Sequence, residues 1–173
     1  QPLGSTYRAD FVYSITASRP DYVDVDLHAL HGPLGTGDYR ISLEAVGLEK
    51  KRAFVHLRYS YTYGFAGRSA MNMYLATSGS DKVGFTVIGD RNDPQPKFIG
   101  GVRGAIERNT MRYYLAIDAY LGALATPAPA RFEQSLGRWF NATELYPRQL
   151  REIDRGTYFA MKRSEYLRQQ TAQ

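Results

Sequence analysis

Apolar and polar residues alternate with a period of two over most of the first third of the chain, the pattern of half-buried strands. Tyr7, Ala9, Phe11, Tyr13 and Ile15 fall on one side of a first strand predicted over 7–17, with Arg8, Asp10 and Ser14 on the other. Arg19-Pro20-Asp21 breaks the run, because proline interrupts a ladder and favours a turn. A second strand over 22–30 places Val23, Val25, Leu27 and Ala29 on one face and Asp24, Asp26 and His28 on the other. The turn-rich segment 31–37 follows, then Tyr39, Ile41, Leu43 and Ala45 mark a third strand. Ala53, Val55, Leu57, Tyr59, Tyr61 and Tyr63 mark a long fourth. Four successive strands with short connections predict an antiparallel meander.

Gly64 and Gly67 end the alternation, and 68–76 predicts a short helix rich in helix formers. Residues 82–89 predict a fifth strand, 90–96 a turn and 98–106 a sixth strand whose glycines permit a bulge. Asn109 or Thr110 caps a predicted helix reaching about residue 125, with Tyr113, Ile117, Tyr120 and Leu124 as its apolar stripe. Further helices are expected over 130–140, 143–153 and 157–170, with helix entries at Thr143 and at the step from Asp154 to Thr157. The expected fold is α+β in one domain. Residues 1–106 are mainly sheet with one short helix, and 107–173 are helical.

A strongly curved sheet of about six strands wrapping one long helix leaves a space that becomes either core or cavity. The strand pair KVGFTVIG and FIGGVRGAI, followed directly by NTMRYYLAIDAYL, resembles the helix-grip fold of START-like proteins. That superfamily includes polyketide cyclases, lipid-transfer domains and plant allergens. The resemblance implies a hydrophobic cavity closed by the long helix. The superfamily's usual opening, a strand and two short helices before the meander, is missing, so a further N-terminal segment is expected outside this sequence. The segments GGVRGAIERNTMRYYLAIDAYL and WFNATELYPRQLREIDRGTYFAMKRSEYLRQQ also resemble a family of bacterial, often exported proteins without an assigned activity. That second resemblance implies a bacterial source and a periplasmic address.

Composition adds an aromatic emphasis. Fourteen tyrosines, eight phenylalanines and one tryptophan suit either a Tyr-rich core or a pocket that holds an apolar ligand and orients it by hydroxyl groups. The absence of cysteine excludes disulfides, thiolate metal sites and a cysteine nucleophile. No apolar run approaches the ~20 residues that span a bilayer, and the opening residues QPLGSTYRAD contain no signal peptide. Residues 1–50 hold four Lys/Arg against seven Asp/Glu, and 51–173 hold eighteen against ten. The basic residues interleave with acids, as on solvated helix faces, so a nucleic-acid partner is not expected.

The chemistry-bearing candidates are few. His28 and His31 with nearby carboxylates have the ligand types of a zinc or iron site, but a spacing of three across a strand end does not put both rings on one face. No serine sits in a Gly-x-Ser-x-Gly elbow, and neither HGPLGTG nor GGVRG carries a phosphate-loop signature. No catalytic residue, metal or cofactor is assigned. Arg103, Glu107, Arg108 and Arg112 form a charged group beside the long helix: a pocket rim binding an anionic head, or a brace of salt bridges. Glu107 would act as an acid or base if burial raised its pKa. The expected ligand-binding set is Tyr59, Tyr61, Tyr63, Met71, Phe85, Arg103, Glu107, Arg108, Tyr113 and Ile117. Three function classes stay open. One is non-catalytic carriage of a hydrophobic small molecule or lipid, and another is an enzyme of polyketide-cyclase type. The last is an assembly module, pairing with another protein or a second copy through C-terminal helices around Trp139, Phe140 and Tyr166.

Overall fold

The structure is a computed structural model that describes residues 9–49, 52–77, 79–90 and 94–171. The predicted strand residues Tyr7 and Arg8 lie outside the described residues. The chain divides into two compact units, Gln1–Asp81 and Lys82–Gln173.

The first unit is the meander. Strands β1 (Val12–Arg19), β2 (Tyr22–His31), β3 (Thr36–Leu48) and β4 (Arg52–Tyr63) pair antiparallel in that order. Pro20 and Asp21 make a two-residue turn between Arg19 and Tyr22. A short 3-10 turn, Pro33–Gly35, joins β2 to β3. Because directly opposed residues share a face, the register sorts the sheet into an apolar and a polar side. Tyr13 opposes Leu27, which opposes Ile41, which opposes Tyr59; Ile15, Val25, Leu43 and Leu57 form the next apolar row. On the other face, Asp24, Glu44 and His56 form one row and His28, Arg40 and Ser60 another.

Two irregularities interrupt this register. Thr16 is the extra residue of a bulge in β1, and its hydroxyl donates to Asp26 at 3.1 Å. A second irregularity lies between Gly37 and Arg40, where Asp38 adopts φ 47, a left-handed conformation that Asp tolerates better than most residues. Helix α1 (Phe65–Ala76) completes the unit, starting three residues earlier than the sequence pattern predicts.

The second unit opens on an irregular hairpin rather than on strands five and six. Between 82 and 100 the only bridge among the described residues is Val87 with Phe98. It is flanked by backbone bonds from Gly84 to Ile99, Ile99 to Thr86 and Ile88 to Lys97. The predicted sixth strand is a correction: extended backbone ends at Gly100, Gly101 turns with φ 62, and helix α2 runs over Gly101–Leu121. Glycines and apolar residues in FIGGVRGAI mimic a strand pattern. The Arg103–Glu107 pair at i,i+4 instead lies along one helix face.

Helices α3 (Ala128–Glu144), α4 (Pro147–Leu150) and α5 (Arg155–Thr171) follow. The helix predicted over 143–153 shrinks to α4. Thr143 sits inside α3, where its hydroxyl bonds the Phe140 carbonyl, and Pro147 begins a new turn. The predicted N-terminus at Asp154 is present: its carboxylate accepts the Thr157 amide at 2.9 Å and the Thr157 hydroxyl at 2.6 Å.

The core of this unit is Ala105, Leu115, Ala119 and Ala123 of α2 and its C-terminal turn, with Leu136 and Phe140 of α3 and Leu150 of α4. The expected stripe on α2 is therefore rotated. Tyr113, Tyr120 and Leu124 are exposed, while small alanines face inward and let α3 approach closely.

Gly84 and Gly104 make a second close approach. A Cβ on Gly84 would lie 2.6 Å from Glu107 Oε2 and 2.9 Å from the Gly104 Cα. Gly84→Ala is expected to cost about 1–3 kcal/mol through overpacking. Urea unfolding checks it, and a change within about 0.5 kcal/mol, typical of a surface site, would refute the close approach.

Candidate functional site

A cleft of about 360 Å³ opens between α2, α3 and α5 of the second unit. Its walls are mainly apolar and aromatic. Phe132, Leu136 and Trp139 come from successive turns of α3, Ala116 and Ala119 from α2, and Tyr158 from the first turn of α5. The spacing 132, 136, 139 puts these side chains on one helical face.

Three contacts fix the aromatic wall. Trp139 stacks on Tyr158 with centroids 4.9 Å apart and an interplanar angle of 18°. Its indole N–H donates to the Arg112 carbonyl at 3.3 Å, which sets the ring's orientation. Phe132 stacks on Tyr166 at 4.2 Å. Burial pushes the Tyr158 phenol up to about 12, against an opposing pull from Arg112, so it stays a neutral hydroxyl throughout the working range.

Polar groups at the rim are few and distinct. Arg112 is committed to Glu152 at 2.5 Å and to the Leu150 carbonyl at 3.4 Å. Lys162, one turn beyond Tyr158, carries its ammonium 6.0 Å from that ring's centroid. Ser135 also lines the cleft, with its Oγ buried and without a hydrogen-bond partner.

Among the ten residues expected to bind ligand, only Tyr113 lines this cleft. Phe85 packs edge-on against Tyr146 at 5.3 Å. Ile117 is half-buried on α2. Tyr59, Tyr61 and Tyr63 stand together in the first unit as a ladder on β4, with ring separations of 5.6 and 5.9 Å and Tyr39 stacked on Tyr61 at 5.3 Å. Met71 lies half-buried on α1.

The charged group on α2 is a brace. Glu107 Oε2 accepts the backbone amides of Phe85 and Thr86 at 2.8 and 2.9 Å, and Oε1 accepts the Thr86 hydroxyl at 2.7 Å and Arg103 Nε at 3.2 Å. Burial alone raises the Glu107 pKa, yet these bonds together outweigh it and hold the carboxyl below its ordinary range. Glu107 is thus a fixed carboxylate, not the raised-pKa acid entertained from the sequence. Arg108 is 1% exposed within the helical core. It is no part of a solvent-facing rim.

Two of the three histidines are likewise held by carboxylates. His28 Nε2 lies 3.0 Å from Asp38, which Arg40 also bonds, and His56 Nδ1 lies 3.1 Å from Glu44, which Arg58 and Tyr22 also bond. Hydrogen bonds, chiefly from Arg40 to Asp38 and from His56 to Glu44, keep both carboxyls below the usual range. Among the described residues no group of three His, Asp or Glu side chains is arranged to hold a metal ion. No described helix is long and apolar enough to cross a membrane.

Fold and site together define an α+β protein with a four-stranded antiparallel meander and a helical unit that carries an aromatic cleft. No family model, curated protein or solved structure matches the chain.

Proposed function

We propose that the protein binds a small hydrophobic anion, without catalysing its conversion, in the cleft between α2, α3 and α5. The observation that carries this reading is the pairing of a pre-positioned Trp139–Tyr158 wall with Lys162 at its edge. Ligand sites are mostly apolar with a few placed polar groups, and ~300–1,000 Å³ is their usual size. At about 360 Å³ this cleft suits one ring with a short acidic side chain. The aromatic walls bury the ring and Lys162 meets the carboxylate. The proposal keeps the ligand class expected from the sequence and places its site within the helical unit. It does not draw on the six-stranded helix-grip arrangement implied by the START-like resemblance.

Trp139 is the single tryptophan of the chain, so its fluorescence reports directly on the cleft. With 3-phenylpropionate as probe, a drug-like yield of about 0.3 kcal/mol per heavy atom predicts a dissociation constant near the millimolar range. Saturable quenching is expected. Ala116→Phe, which fills the cleft from an exposed position on α2, is expected to abolish it. Lys162→Met is expected to weaken the acid about tenfold while leaving the neutral 3-phenyl-1-propanol unchanged. Quenching that persists in Ala116→Phe, or is absent from the parent protein, would overturn the reading.

A further inference from the structure

We propose that the polar face of the meander holds a second binding site, for a small zwitterion whose ammonium and carboxylate stand several ångströms apart. The site lies within the first unit and shares no residue with the aromatic cleft.

It is a cavity of about 520 Å³ with one acidic and one basic side. β2 supplies Asp24 and Asp26, which share a face two residues apart, a rise of about 6.6–6.8 Å. Arg40 of β3 and Arg58 of β4 supply the other side. Arg40 opposes Ser60 in the register, so Arg58 is its diagonal neighbour. Ser42 lies between Asp26 and Arg58 in one cross-strand row. Two strand spacings, about 9.5 Å, therefore separate the backbone of the acid from that of the base. The short side chains of Ser42 and Ser60 leave the space between them open.

The hydrogen bonds on this face do not join the two sides. Asp38 takes Arg40 Nε and His28, each at 3.0 Å. Glu44 takes Arg58 at 3.2 Å, His56 at 3.1 Å and the Tyr22 hydroxyl at 3.1 Å. Both guanidiniums are thus anchored to carboxylates outside the cavity. Each uses one nitrogen for that anchor, and a guanidinium has five N–H donors, so both retain donors for a ligand. The β2 carboxylates are half-buried and have no such anchor. Asp26 accepts the Thr16 hydroxyl at 3.1 Å, and Asp24 has no hydrogen bond or ion pair among the described residues. A simple anion drawn to the guanidiniums is repelled by Asp24 and Asp26, and a simple cation meets the reverse. A molecule that brings its ammonium to β2 and its carboxylate to the arginines complements both sides at once. An ω-amino acid and a short peptide with free termini share that chemistry.

The probes are 4-aminobutyrate and glycylglycine, read by backbone amide shifts in a proton–nitrogen correlation spectrum. The readout is resolved by residue, so binding in the aromatic cleft does not mimic it. Saturable shifts are expected at Asp26, Ser42 and Arg58, with a dissociation constant on the order of millimolar. Butyrate, which lacks the ammonium, and butylamine, which lacks the carboxylate, are each expected to bind about tenfold more weakly. Tighter glycylglycine identifies a peptide as the ligand, and tighter 4-aminobutyrate an ω-amino acid. Asp24→Asn with Asp26→Asn is expected to weaken both zwitterions about tenfold while leaving butyrate no weaker. Ser42→Tyr, which fills the middle of the cavity, is expected to abolish binding in a protein whose spectrum keeps its dispersion. If that variant loses its dispersion, the paired Asp→Asn change decides alone. Three results would each overturn the proposal: no saturable shift through tens of millimolar zwitterion, butyrate or butylamine binding as tightly as 4-aminobutyrate, or zwitterion binding that survives Asp24→Asn with Asp26→Asn undiminished.

Discussion

Phe140→Ala is expected to lower the stability of the helical unit by about 3–5 kcal/mol, the usual cost of truncating a buried aromatic residue. Phe140 is 7% exposed and touches the elements that close the unit: its ring lies 5.7 Å from Tyr158 and 5.9 Å from Phe159 of α5, with the Arg155 guanidinium 5.4 Å above it. Removing it opens a void beneath the Trp139–Tyr158 stack, so the same change is expected to loosen the cleft. Against a typical domain stability of about 5–15 kcal/mol, the loss leaves the unit marginal. Urea unfolding followed by Trp139 fluorescence measures it, and Leu145→Ala, at a position 75% exposed, serves as the control expected to stay within about 0.5 kcal/mol. A Phe140→Ala cost below about 1 kcal/mol would mean that Phe140 does not anchor α5 to α3.

The meander was legible in the sequence because its signal is local. Val23, Val25, Leu27 and Ala29 alternate with Asp24, Asp26 and His28, and the structure places them on opposite faces of β2 in a register that continues through β3. The segment 98–106 misleads for an equally physical reason. Alternating small and β-branched residues suit a strand, but a strand needs a ladder. Here Gly101 turns the chain, and Glu107 spends its hydrogen-bonding capacity on the hairpin from within a helix. The inward face of α2 was missed because alanines bury little area each and carry a weak signal beside Tyr113 and Tyr120.

The cleft was harder to read than the fold. Its residues come from three helices, and nothing local joins Arg112, Trp139 and Tyr158. One signal was available: Phe132, Leu136, Trp139 and Phe140 recur at helical spacing, the densest aromatic face in the second half of the chain. Trp139 and Phe140 also belong to the C-terminal helices that one of the three open function classes uses for assembly. The structure packs Phe140 into the core and stacks Trp139 on Tyr158.

Glu107→Ala is expected to cost about 2–4 kcal/mol, because one side chain serves as acceptor for four donors. Hydrogen bonds to a charged group are worth about 1.5–3 kcal/mol each, but the Phe85 and Thr86 amides are only part-buried, so water recovers some of that. Glu107→Gln tests the charge separately from the shape, since an amide nitrogen cannot accept from a backbone N–H. The pH dependence follows from the depressed carboxyl. A carboxylate whose pKa is lower folded than unfolded contributes its stability in full above the unfolded value, about 4.3, and loses it as pH falls through the folded value. The parent protein should therefore lose stability below about pH 4.3, and Glu107→Gln should lose measurably less over the same interval. Equal acid slopes in the two proteins would show that Glu107 is not the carboxylate pinning the hairpin to α2. A reduced slope, with the cost retained at neutral pH, would establish that the residues resembling a pocket rim in the sequence are the clamp that fixes where α2 begins.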